Sequence, residues 1–255
     1  VDYQGLAHNT PGTVLNRASA NFNNFSVRGI ATNGYNANLQ STVAIYIDEL
    51  PISSNGNSTI LDPNLFDVER VEFLRGPQGA LYGRNAIGGA ITIVTKQPGE
   101  EFTGRVELGA DSGPGFTVRG TASGPMGGSD AWKYRVTGSY VDTDGYIDNA
   151  FLGEKADPYK DTSARARLTY EPNDTFSADV RFSTSMLDTQ ALYFTIDAEA
   201  DDTSLPVRVN NPGVNERDIF NFSLKLEWNT DAGTFTSITA YDDLEELLTG
   251  DYHAL

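Results

Sequence analysis

Three kinds of side chain in this sequence could do chemistry: clustered acids, two isolated histidines, and arginines set beside glycines. Asp142-Thr143-Asp144-Gly145 with Asp148 has the opening of a calcium loop. It lacks the third early acid and the closing Glu that complete an EF-hand's oxygen cage. Asp197, Glu199, Asp201 and Asp202 would suit divalent cations or basic ligands, but a solvated acidic loop has the same composition. His8 and His253 are too far apart in sequence to suggest a metal pair, and neither has a catalytic Ser or Cys context. No carboxylates show the spacing of a glycosidase pair. The expectation is no catalytic residue, no metal and no cofactor, in a protein that is not an enzyme.

The glycines suggest something else. Gly76, Gly79, Gly83, Gly88 and Gly89 crowd one short stretch, without a GxGxxG or a phosphate-loop Lys. They read as turn residues that supply positive φ or close backbone approach, with Pro77 stiffening one turn. Arg28 and Arg75 each precede a glycine, Gly29 and Gly76, at a strand end where turning needs no bulky cation. The plain reading is an exposed charge paired locally, for instance with Glu69 or Glu72.

Two segments of different pattern must position these residues. Residues 1–100 mix short apolar runs with polar loops, an α+β arrangement with room for only a small core. Phe25–Arg28, Val43–Ile47, Arg70–Leu74 and Ala90–Thr95 read as strands, and Asp62-Pro63 predicts a short helix over Pro63–Phe66. Residues 101–255 alternate apolar and polar side chains in seven runs, about nine to eleven residues long, which suits a tilted bilayer-crossing strand. The runs begin near Phe102, Phe116, Trp132, Ala164, Phe176, Phe220 and Thr234, and the last does not fix its phase. Their polar faces carry Arg, Lys and Glu, costly in a sealed core but solvated in a barrel lumen. From the third strand the connections run long, short, long, short, as outer loops and periplasmic turns do. The short-turn ends carry Trp132, Tyr170, Phe176, Trp228 and Phe235, the expected interfacial girdle.

Composition narrows the classes further. A net charge of −17 argues against nucleic acid, and the absence of Cys excludes disulfides and Cys-ligated metal. No apolar run approaches the roughly 18 residues of a spanning helix. The chain opens on Val1-Asp2-Tyr3-Gln4, which is not a signal peptide, and a missing first segment is the expectation.

Val68–Gln97 then supplies a name for the pattern. Arg75-Gly76-Pro77-Gln78-Gly79, Leu81-Tyr82-Gly83 and Gly88-Gly89-Ala90-Ile91 stand in the order and spacing of a TonB-dependent receptor plug domain. Phe25-Ser26-Val27-Arg28-Gly29 and Val43–Pro51 resemble the plug's earlier strands, so the resemblance covers roughly residues 5–98. It implies a plug over 1–100 and the beginning of a membrane β-barrel over 101–255. About seven strands are visible, whereas plugged transporters have about 22. It implies TonB-dependent active uptake of a scarce small-molecule ligand: an iron-siderophore, cobalamin, haem or carbohydrate. The place would be the outer membrane of a Gram-negative bacterium. The partners would be outer-membrane lipid and periplasmic TonB with ExbB-ExbD, reached through a segment missing from this chain. Arg28 and Arg75 would meet carboxylates on the barrel's inner wall, and Gly29, Gly76, Pro77, Gly79, Tyr82, Gly83, Gly88 and Gly89 would shape the plug's turns. Tyr35, Asn36, Asn38, Gln40, Ser54, Asn55 and Asn57 would lie in apical loops that touch ligand. A passive porin leaves residues 1–100 without a role, and a soluble acidic β-rich enzyme lacks a catalytic constellation.

Overall fold

The computed structural model describes residues 3–17, 23–31, 41–52, 65–190 and 207–250. In chain order its elements are α1 Tyr3–His8, β1 Thr13–Arg17, β2 Asn23–Val27, β3 Val43–Ile47, β4 Leu50–Pro51, β5 Val68–Arg75, α2 Gly79–Tyr82 and β6 Gly89–Thr95. There follow β7 Thr103–Asp111, β8 Gly115–Met126, β9 Ser129–Thr143, β10 Asp148–Asn149, β11 Glu154–Lys155, β12 Tyr159–Asn173, β13 Phe176–Thr189, β14 Val214–Thr230 and β15 Gly233–Thr249.

The first part folds around a four-stranded sheet in the order β4-β3-β6-β5, beside a separate β1-β2 hairpin. β3 and β6 pair in parallel, while β5 runs antiparallel to β6. A parallel pair is buried on both faces, which is why Val43–Ile47 and Gly89–Thr95 are largely apolar rather than alternating. Their Val43, Ile45, Ile91 and Ile93 close a core with Ala7, Phe25 and Val27, and Phe73 meets Phe25 edge-on at 5.9 Å. The helix expected over Pro63–Phe66 does not appear in its described part. Phe66 lies in a turn, and Asp67 takes φ +69°, which no continuing helix allows. α1 and β1 went unread because both are short and flank a Thr-Pro-Gly turn rather than a periodic run.

The second part is one antiparallel sheet in the order β15-β14-β13-β12-β9-β8-β7, open at both edges among the described residues. Its faces follow the sequence alternation. Val106, Leu108, Val118, Trp132, Val136, Phe182, Phe222 and Trp228 are exposed on the outer face, where a bilayer would cover them. Register sets the phase of the seventh strand: Phe235 stands opposite Trp228 and Tyr241 opposite Phe222, so both point outward. Register also gathers the girdle, through Trp132 opposite Tyr170 and Phe176 opposite Trp228. The Trp132 and Tyr170 rings lie 4.3 Å apart.

The strands outrun the expected nine to eleven residues; β9 and β12 have 15, and β14 and β15 have 17. The extra length lies at the ends away from the girdle. On β14 the outward residues Phe220 to Trp228 are apolar or aromatic, but Glu216 and Asp218 precede them. The hydrogen-bonded ladder thus continues past the lipid-facing band, where apolar alternation no longer marks it. Connections 144–158 and 190–213 are long, while 174–175 and 231–232 are tight, and the first of the long ones folds into the β10-β11 hairpin.

Candidate functional site

The glycine-rich residues gather at one end of the four-stranded sheet. Arg75 pairs with Gly89, Gly76 N–H donates to Gly88 O at 3.0 Å, and Gly88 N–H donates to Thr42 O at 2.8 Å. Gly76 turns at φ +95°, and a Cβ on Gly89 would lie 2.5 Å from the Leu74 carbonyl oxygen. Those two positions need glycine for conformation and for room respectively. Gly29 and Gly83 also take positive φ, and Gly88 is backed against Thr42. Gly79 opens α2 with empty space around its Cβ position, so neither expected reason applies to it. Pro77 is exposed, and Tyr82 accepts at its carbonyl from the Tyr46 hydroxyl at 2.6 Å.

Arg28 and Arg75 come together at this end. Arg28 takes φ +52° and its N–H donates to Gly12 O, while its Nη1 lies 3.8 Å from the Cβ position of Gly76. Arg75 Nη1 donates to Pro11 O at 3.1 Å. Glu69 and Glu72 serve Arg70 instead, at 3.4 and 2.7 Å, so the local pairing expected for Arg75 is taken. Tyr35, Asn36, Asn38, Gln40, Ser54, Asn55 and Asn57 lie outside the described residues.

The other end of the sheet meets the seven strands. The Asp67 carboxylate accepts from Arg135 Nε and Nη2 and from Thr137 Oγ1, the first at 2.5 Å and the last at 2.7 Å. The Phe66 ring lies under the Arg105 and Arg119 guanidiniums, 5.5 and 5.8 Å from its centre. Arg165 Nη1 reaches Phe66 O at 3.4 Å. Next to them the β3-β4 turn docks: Arg181 Nη1 donates to Asp48 O at 2.6 Å, and Lys225 pairs with Glu49 at 2.8 Å. Asp48 in turn accepts from Thr95 N–H and hydroxyl at 2.9 and 2.5 Å. A cavity of about 100 Å³ remains in this seam, lined by Asp48, Asp67 and Thr95 on one side and Arg135, Arg167 and Arg181 on the other.

Burial pushes the Asp67 carboxyl up, but the hydrogen bonds of Arg135 and Thr137 and the charges of Arg135 and Lys96 outweigh it. The carboxyl is held below its ordinary range. Sequence reading passed over Asp48, Glu49, Phe66, Asp67 and Thr95 because turn residues and their long-range partners leave no local trace. The signal that points to them appears only once the strands are in register. Arg135, Arg167 and Arg181 are direct cross-strand neighbours on the inward face. A row of like charges requires counter-charges from somewhere. Asp179 answers Arg167 and Arg181 at 2.6 and 2.7 Å, which leaves Arg135 to Asp67.

The acidic candidates disperse. Asp148 holds Lys155 and Asp142 accepts from Tyr140, while no three His, Asp or Glu side chains gather to hold a metal among the described residues. His8 ends α1. His253 and Asp197, Glu199, Asp201 and Asp202 lie outside the described residues.

Residues 2–90 match the TonB-dependent receptor plug domain model. The pesticin receptor of Yersinia pestis is 38% identical over 119 residues, which is 46% of this chain and 16% of that receptor. The ferripyoverdine receptor of Pseudomonas aeruginosa is 29% identical over 145 residues, 56% of this chain and 17% of that receptor. The chain thus spans less than a fifth of the length of these curated relatives. Among solved structures, the ferric yersiniabactin uptake receptor of Yersinia pestis superposes with a TM-score of 0.83 at 25% identity, covering 98% of this chain and 39% of its own. The ferripyoverdine receptor of the Pseudomonas aeruginosa outer membrane shares the fold, with a TM-score of 0.77 over 99% of this chain and 34% of its own, at 20% identity. With a plug-type sheet seated against inward-facing polar side chains and an outward apolar band, this chain carries a TonB-dependent receptor plug domain over residues 2–90 and shares the fold of these outer-membrane receptors over nearly its whole length.

Proposed function

We propose that this chain gates the TonB-dependent uptake of a ferric siderophore across the outer membrane. The observation that carries the reading is a likeness over 98% of the chain to a ferric yersiniabactin uptake receptor, with plug and strands matched together. The ferripyoverdine and ferric enterobactin receptors among its relatives favour an iron chelate over cobalamin, haem or carbohydrate. In this reading residues 1–100 are the plug and 101–255 part of the wall. The chain binds and translocates and is not an enzyme. TonB, energised by ExbB-ExbD, pulls on an extended segment that pairs with it by strand addition. Arg28 and Arg75, side by side at the glycine-rich end, meet carboxylates of wall strands beyond these seven. Planar guanidiniums suit that bidentate task. Tyr35, Asn36, Asn38, Gln40, Ser54, Asn55 and Asn57 form the apices that touch the chelate.

The test is radioactive iron uptake by cells whose only siderophore receptor is the complete protein. They are offered hydroxamate, catecholate and phenolate chelates, with cobalamin and haem as controls. Uptake of at least one ferric chelate that disappears when TonB is removed is the expected result. Uptake indifferent to TonB would sink active transport, and uptake of cobalamin or haem alone would sink the siderophore class.

A further inference from the structure

We propose that Asp67 is the positioning residue that seats the plug, its carboxylate completing the charge of the barrel wall at Arg135. The inference rests on the reading of this chain as a plugged transporter and adds to it the contact that keeps the seam shut.

The argument begins with the backbone. At φ +69°, Asp67 occupies a left-handed position that Asn or Gly fills at least as well. Turning the chain between Phe66 and β5 therefore does not call for a negative charge. The wall does. Arg135, Arg167 and Arg181 stand in register across β9, β12 and β13, three like charges side by side. Asp179 lies within ion-pair reach of the second and third, whereas the first is paired to Asp67. The Asp67 and Arg135 side chains are only 7% and 12% exposed, so neither is satisfied by bulk water when the other is lost. Geometry adds specificity: two guanidinium nitrogens and the Thr137 hydroxyl converge on one carboxylate. The neighbouring Phe66 is gripped by cations from β7, β8 and β12, so this dipeptide alone touches four wall strands.

Seating at this point has a functional consequence. With Asp67 engaged, the plug sheet closes against β9 and β12. With it released, the wall is left with an unanswered arginine, and the seam beside it can admit water and ions. Asp67 acts through Arg135 on the plug's position and touches no ligand.

The experiment uses the complete receptor in planar bilayers, with ion conductance as readout and no ligand needed. Asp67→Asn keeps the turn and the shape while removing the charge. It should raise the open fraction roughly tenfold, as expected when one member of a coupled two-state contact is lost. Arg135→Gln should leak equally, the Asp67→Asn/Arg135→Gln double variant should leak no more than either alone, and Arg135→Lys should recover part of the seal. Wild-type leak should rise on acidification, and more steeply than the Asp67→Asn leak over the same range. Tight bilayers with both single variants, or leaks that add in the double variant, would overturn the proposal. If the receptor proves to take up no ferric chelate, the conductance result still stands or falls by itself.

Discussion

At one end of the plug's sheet, Arg75, Gly76, Gly88 and Gly89 fold into turns that make the sequence conspicuous. At the other, Asp48, Glu49, Phe66, Asp67 and Thr95 stand apart from the glycine turns, yet they hold the hydrogen bonds and ion pairs to β9, β12, β13 and β14. The difference separates two jobs. Glycines solve backbone problems of turning and close approach inside the plug sheet, as at Gly76 and at Gly89 against Leu74. The docking side chains find partners 68, 133 and 176 positions away. Among the described residues, attachment to the wall is thus a property of the plain end, and the motif end makes no ion pair to these strands.

The largest test of that contrast removes one partner of the buried pair. Arg135→Leu leaves the Asp67 carboxylate buried with only the Thr137 hydroxyl and the more distant Lys96 charge, and breaking such a pair costs about 3–5 kcal/mol. Hydrogen exchange at the β5 and β6 amides of the membrane-embedded receptor should report that loss of protection. Arg75→Ala at the motif end removes one hydrogen bond from an exposed side chain, a change of about 1 kcal/mol or less by the same readout. A larger loss from Arg75→Ala would reverse the comparison.

Gly89→Ala sharpens it from the other side. The new Cβ would meet the Leu74 carbonyl at 2.5 Å, so the β5-β6 pairing must shift, at a cost of about 1–3 kcal/mol. Gly89 lies at the far end of β6 from the docking turn, so its effect should add to that of Arg135→Leu within about 0.5 kcal/mol. Strong coupling in the double variant would mean that the two ends act as one unit.

Acid offers a third probe. Because the Asp67 carboxyl titrates below its ordinary range when seated, its contribution is complete above the unfolded value and fades as pH falls through the seated one. The groups facing it are the Arg135 guanidinium and Thr137 hydroxyl on β9 and Lys96 after β6, with Arg165 of β12 lining the same cavity. Plug protection should therefore be level from neutral pH to about 4 and fall below it. Subtracting the Asp67→Asn profile isolates this carboxylate from Asp48 and Asp179. Identical profiles would show that Asp67 carries no linked proton.

These contrasts also explain what was legible in the sequence. Alternation marked all seven wall strands, because lipid on one side and water or plug on the other impose period two. It stopped at Ser183 on β13 and Phe220 on β14, although pairing continues beyond both, to Thr189 and Asn215. The glycines announced the motif end for conformational reasons. Asp67 was hidden because an acid in a turn has an ordinary local explanation, and only register shows that Arg135 lines up with Arg167 and Arg181. Cross-strand alignment is a three-dimensional fact that parity alone cannot supply.

The smallest effect belongs to the outermost contact of the docking end. Glu49 is 55% exposed where it meets Lys225, and Lys225 also lies 3.5 Å from Glu227. Glu49→Gln leaves that second acid in place, and it leaves Arg181 on the Asp48 carbonyl and Asp48 on Thr95. A half-solvated pair is worth about 0–1 kcal/mol and weakens with salt. Protection of the β3-β4 amides should fall by no more than that at low ionic strength, and the difference should vanish at high salt. A loss rivalling that of Arg135→Leu would move the seat from Asp67 to the β3-β4 turn. The wall's grip would then centre on β13 and β14 rather than β9 and β12.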